Sequence, residues 1–252
     1  MRLRWVLVWL GWLLAFPGSA GLPETVARVK PSILAVGTYQ RTRAPSAVFR
    51  GTGFVVADGL HVLTNAHVLP EKLAAGKGEI LAVFFKAEGH DRLRRAKVVA
   101  VDRNHDVALL RIGGRPLPAL ALGDSDRVRE GERYAFTGYP IGMVLGLYPV
   151  THRGIVSSIT PIAIPAPRAG FLDPKLLRRL NQPYRVFQLD ATAYPGNSGS
   201  PLYDPETGVV VGIINKVFVK ESKENLLSKP SGISYAIPIR YARHLLVRAG
   251  LQ

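Results

Sequence analysis

An all-β protein, folded as two packed antiparallel barrels of about 100 residues each with a short C-terminal helix, is what the 252-residue sequence predicts. Three observations predict it. β-Branched and aromatic runs recur about every 8 to 15 residues, and turn residues rather than long helices separate them. The runs fall into two sets, parted by the Pro- and Gly-containing stretch "GGRPLPALALGDSDRVREGE" over residues 113–132. Convincing helical spacing comes only at the end, in "PIRYARHLLVRAG", where Tyr241, Leu245 and Leu246 share a face behind Pro238.

The elements follow in order. "PETVARVKPS" begins as a short amphipathic turn of helix with Val26 and Val29 on one face, and Pro31 ends it. The first strand set is "SILAVGTYQ", "GTGFVVADG", "HVLTNAHV", "EILAVFFKA", "AKVVAVD" and "DVALLRI". The second runs through "RYAFTGYP", "VTHRGIVSSI", "RVFQLDATA", "SPLYD", "GVVVGIINKVFV" and "GISYAIP". A proline-rich insertion at 160–185 and a polar stretch at 216–232 interrupt this set, and connections of that length are often functional. The terminal helix is expected to close the second barrel.

Composition bounds the chemistry. Apolar residues make up 47% and charged residues 20%, a globular balance. The net charge of +15 favours an anionic contact, such as a membrane surface or an acidic polymer. The basic residues are spread along the chain without a nucleic-acid-binding signature, so nucleic acid is not an expected partner. There is no cysteine, which excludes disulfides, thiolate nucleophiles and Cys-ligated metal. At the N-terminus, "MRLR" precedes the apolar run "WVLVWLGWLLAF" and then "PGSA". That is the layout of a signal peptide cleaved after Ala20, an uncleaved anchor being the alternative. The organisation expected is therefore a signal segment over 1–20, a first barrel over 21–120 and a second over 121–252, in an exported protein.

"YPGNSGSPL", residues 194–202, is a turn by composition, with Pro, Gly, Asn and Ser. Ser198 within it is either a turn residue or a nucleophile held on a turn. A serine nucleophile needs a histidine base, and the base needs a carboxylate to fix its tautomer. No HExxH pair occurs among the six histidines. His67 lies where the strand "VLTNAHVL" ends, and Asp106 in "RNHDVALLRI" enters a buried run. Taken singly, each is more often structural. Their order joins them into one candidate constellation: His, Asp about 40 residues on, then Ser about 90 further.

The chain resembles the trypsin-like serine proteases of the two-β-barrel fold, and most closely the HtrA/DegP branch without its PDZ domains. The residues that carry the resemblance include "VARVKPSILAV", "GTGFVV", "LTNAHV", "HDVALLRI", "TGYPIG", "VTHRGIVSS", "QLDATAYPGNSGSPL" and "SYAIPI", running in family order from about residue 24 to 240. The resemblance implies two six-stranded barrels of chymotrypsin type, with the site in the cleft between them. It implies Ser198 as nucleophile, His67 as general base and then acid, and Asp106 as the orienting carboxylate. The oxyanion hole falls at Gly196, Asn197 and Ser198. Thr192 falls where trypsins carry an Asp, which argues against cleavage after Arg or Lys. Glutamyl endopeptidases share "GNSGSP" but carry a His where Ile213, Ile214 and Asn215 stand here. A pocket bordered by Thr192, Ile213, Ile214 and Asn215 is thus expected to take small or aliphatic side chains. Ser200 departs from the usual fifth residue of the HtrA motif, a glycine. The expected function is a serine endopeptidase acting on unfolded or damaged proteins of the cell envelope or exterior, with no metal or organic cofactor. A catalytically silent or switch-regulated binding protein with a basic surface is the alternative, and both homotrimer and monomer are open.

Overall fold

The computed structural model describes residues 21–140, 146–161, 184–215 and 232–251. The expected signal segment, nearly all of the 160–185 insertion and of the 216–232 stretch lie outside the described residues.

Two closed six-stranded antiparallel barrels form, as the strand spacing predicts. The first contains β1 (Ile33–Tyr39), β2 (Ala47–Val56), β3 (His61–Thr64), β4 (Ile80–Ala87), β5 (His90–Asp102) and β6 (Val107–Ile112). The second contains β7 (Arg133–Gly138), β8 (Val150–Pro161), β9 (Arg185–Asp190), β10 (Pro201–Tyr203), β11 (Val210–Asn215) and β12 (Ile233–Pro238). Around the first barrel the order is β1-β2-β3-β6-β5-β4, and around the second β7-β8-β9-β12-β11-β10. The two halves share one connectivity although their sequences show no repeat. In each closed order every strand has a hydrogen-bonded neighbour on both sides.

Side-chain alternation sorts the core into three layers. Leu34, Val36, Val55, Val62, Val83 and Leu110 fill the first barrel. Phe136, Val156, Phe187, Leu189, Leu202 and Ile214 fill the second. The intervening residues Ile33, Phe54, Leu63 and Leu109 point outward and meet Tyr203, Val210, Ile213 and Ile237 between the barrels. Strands that are buried on both faces read as unbroken apolar runs, which is why β6 and β11 carry "VALL" and "VVGII".

Among the described residues, two α-helices flank the barrels. α1 (Leu22–Val29) is pinned to the second barrel, where Thr25 Oγ1 and the Arg28 guanidinium donate to the Glu206 carbonyl at 2.9 and 3.0 Å. The C-terminal helix α2 (Arg240–Arg248) corrects one expectation: instead of closing the second barrel, it crosses to the first and packs against β6 and β5. Its buried Ala242, Leu245 and Leu246 join the layer between the barrels. Tyr241 stacks on His105, with ring centroids 3.9 Å apart, next to Asp106 in the chain. The apolar face of the helix is legible in sequence, but the surface that receives it is not.

Candidate active site

The turn that follows β3 carries His67, and the turn that leads into β6 carries Asp106. Asp106 adopts a left-handed φ of 56°, a conformation that Asp tolerates better than most residues with a Cβ. Its carbonyl accepts from Ala66 N at 3.2 Å and from Asn65 Nδ2 at 3.0 Å, so the two turns are tied together. Asp106, 8% exposed as a residue, then turns its carboxylate toward His67. Oδ1 accepts from the His67 backbone N–H at 2.8 Å, and Oδ2 lies 2.6 Å from Nδ1 of the ring. A carboxylate in this position holds the proton on Nδ1 and leaves Nε2 as the acceptor.

Asn215, at the end of β11, reaches across from the second barrel and donates from Nδ2 to Asp106 Oδ2 at 2.6 Å. The sequence places this residue beside the substrate pocket; in the structure its side chain holds the Asp106 carboxylate. Strand alternation explains the difference. Ile213 and Asn215 share the face toward the first barrel, whereas Ile214 points into the second barrel with Phe136 and Ala193. The three residues therefore do not form one pocket wall. Thr192 is half-buried in the segment that leaves β9.

The Ser198 turn is held between the barrels. Asn197 N donates to Tyr194 O and Ser200 N to Asn197 O, each at 3.0 Å, which winds residues 194–200 into successive tight turns. Gly196 and Gly199 take φ values of 99° and 90°, open to glycine and strained for other residues. A Cβ on Gly199 would sit 1.9 Å from the Thr52 carbonyl oxygen and 2.6 Å from Thr64 Oγ1. Thr64 lies three positions before His67, so the turn is pressed against the strand end that presents the histidine. Ser198 is 6% exposed, and among the described residues no hydrogen bond joins its Oγ to His67. Such contacts commonly tighten only once substrate is bound. Among the described residues, no acceptor takes the N–H of Gly196 or Ser198, whereas that of Asn197 is spent on Tyr194 O. Of the three expected oxyanion positions, two thus present open donors.

Ser200, the departure in the motif, is fully buried, and among the described residues its Oγ has no hydrogen-bond partner, nor does either side-chain polar atom of Asn197. Room for Ser200 comes from Gly138: a Cβ there would lie 2.0 Å from the Ser200 hydroxyl.

His152 stacks on Phe136 with centroids 4.9 Å apart, and the Tyr194 ring lies 6.0 Å away. Its Nε2 is buried and has no hydrogen-bond partner among the described residues. Burial pushes its pKa below the usual 6.5 by penalising the imidazolium. As pH falls through 6.5 the unfolded chain takes up the proton before the folded one does, so stability falls. We expect the denaturation midpoint to drop more for the wild type than for His152→Phe between pH 7.5 and pH 5, in parallel urea titrations. Equal drops would contradict it.

Two closed barrels, a His–Asp pair on the first and a serine turn from the second meeting between them, define the architecture of the two-barrel serine peptidases. The chain belongs to the trypsin-like peptidase domain family, whose profile matches residues 51–213. It is 32% identical over 192 residues to a protein of Halomonas elongata described as a probable periplasmic serine endoprotease DegP-like, covering 76% of this chain and 33% of that protein. It is 31% identical over 232 residues to serine protease HTRA1A of Danio rerio, covering 90% and 41%. Among solved structures, the HtrA-type protease AlgW with a tripeptide superposes with a TM-score of 0.62 at 26% identity, covering 91% of this chain and 64% of that one. The chain spans about a third of the length of the Halomonas relative, at 33%.

Proposed function

We propose that the protein is a serine endopeptidase acting on unfolded polypeptides outside the cytoplasm. The observation that carries this reading is the His67–Asp106 pair at 2.6 Å, locked by Asn215 from the opposite barrel. In the reaction, Ser198 Oγ attacks the scissile carbonyl while His67 Nε2 takes its proton. The oxyanion that forms accepts from the Gly196 and Ser198 N–H groups. His67 then returns the proton to the leaving amine, and a water molecule, activated by the same Nε2, hydrolyses the acyl-enzyme. Each oxyanion donor contributes roughly 3 kcal/mol to the transition state. Asp106 stays ionised throughout and stabilises the imidazolium.

Export is supported by the signal-like N-terminus and by the description of the Halomonas relative as a probable periplasmic protein. The basic surface favours residence beside an anionic membrane or polymer. Side chains before the cleaved bond are expected to be small or aliphatic, because Thr192 supplies no charge and Ile214 faces the interior of the second barrel beside Ala193. Digestion of unfolded casein with mass-spectrometric mapping of the new termini tests both statements. Cuts after Ala, Val or similar residues are expected. Cuts concentrated after Lys, Arg or Glu would overturn the pocket reading, and no cuts at all would overturn the peptidase.

A further inference from the structure

We infer that Thr52, on the first barrel, is a positioning residue that sets the oxyanion turn of the second. The β2–β3 ladder runs from Val56↔His61 to Phe54↔Leu63 and stops there, so the main chain at Thr52 is left free on that side. The nucleophile turn takes the vacated place. Thr52 is fully buried, and every polar group it has is engaged at or beside this turn. Its Oγ1–H donates to Gly196 O at 2.7 Å, and the same oxygen accepts from Tyr139 N at 3.0 Å. Its N–H donates to Ser198 O at 2.8 Å. Its carbonyl accepts from Thr64 Oγ1 at 2.6 Å, three residues before His67.

These bonds act on the peptide units that flank the open donors. The Gly196–Asn197 unit is held at both ends, by Thr52 Oγ1 on its carbonyl and by Tyr194 O on its N–H. The Ser198–Gly199 unit is held likewise, by Thr52 N on its carbonyl and by Ile214 O on its N–H at 2.9 Å. A planar peptide fixed at both ends cannot rotate, so the unit between them, which carries the Ser198 N–H, inherits its direction. Gly196, with no Cβ to restrict it, depends most on such an anchor. The side-chain hydroxyl is the separable part of the device, since the backbone bond to Ser198 O survives any substitution.

The inference rests on Ser198 being the nucleophile, and its test is built to tell the two apart. Thr52→Val keeps the shape and removes the hydroxyl, leaving Gly196 O and Tyr139 N without their partner. Its kcat on a peptide substrate should fall roughly ten- to a hundredfold with KM little changed, because the lost orientation matters only once the oxyanion forms. Affinity for a peptide boronate, which mimics the tetrahedral state, should fall by the same factor, while affinity for the product peptide should hold. Thr52→Ser retains the hydroxyl and should restore most of the activity. Thr52→Cys, measured beside it, gives the same comparison if the valine variant fails to fold. Wild-type kcat and boronate affinity in Thr52→Val, or equal losses in the serine variant, would overturn the positioning role. A wild type that neither cleaves peptide nor binds boronate at Ser198 would overturn the peptidase reading itself.

Discussion

Replacing Ser198 with alanine is expected to lower turnover of an unfolded protein by roughly six orders of magnitude while leaving the fold intact. The size follows from what the substitution removes under the proposed mechanism: the atom that would bond to the carbonyl, without which the His67–Asp106 pair has no proton to take. The fold survives because the turn is held through its backbone. Ser198 O accepts from Thr52 N, Gly199 N donates to Ile214 O and Ser200 N to Asn197 O, and none of these needs the hydroxyl. The Gly196 and Ser198 N–H groups also remain, so binding of a peptide should change little. Casein cleavage followed with time, alongside thermal melting of both proteins, checks the expectation. Equal cleavage by both would remove Ser198 from the mechanism.

Asp106→Asn is expected to cost roughly 10⁴-fold in kcat near neutral pH. The carboxylate takes three donors: the His67 backbone N–H at 2.8 Å on Oδ1, and His67 Nδ1 and Asn215 Nδ2, both at 2.6 Å, on Oδ2. An asparagine offers one acceptor oxygen and an NH₂. With the oxygen toward Nδ1 and Asn215, its NH₂ meets the backbone N–H of His67, donor against donor. With the amide flipped, the NH₂ faces Nδ1 and drives the ring proton to Nε2, where it blocks acceptance from serine. Steady-state kinetics on a short peptide checks this, with an unchanged KM as the companion result. A loss confined to KM would assign Asp106 to substrate binding instead.

The barrels were legible because strands buried on both faces must be apolar throughout, and "DVALLRI" and "VVVGIIN" carry that mark. Their shared strand order was not, since closure depends on register between distant strands and leaves no repeat in residue identity. The same limit applies to the helix α2, whose apolar stripe is plain in "YARHLL" while the receiving surface on β5 and β6 is assembled only in three dimensions. At the site, His67, Asp106 and Ser198 stand in motifs whose order points to one chemistry. Asn215 illustrates what local pattern omits: strand parity separates it from Ile214, but which face meets Asp106 is decided by how the barrels pack. Thr52 reads as one more strand residue in "GTGFVV", and only the end of the β2–β3 ladder turns it toward the Ser198 turn.

Active-site labelling tests the central claim most directly. After treatment with a fluorophosphonate, intact-mass measurement and peptide mapping should find one adduct, on Ser198 in the 194–202 segment, and the adduct should be lost in His67→Ala. Cleavage of casein with no adduct formed, or with the adduct on another residue, would contradict the account.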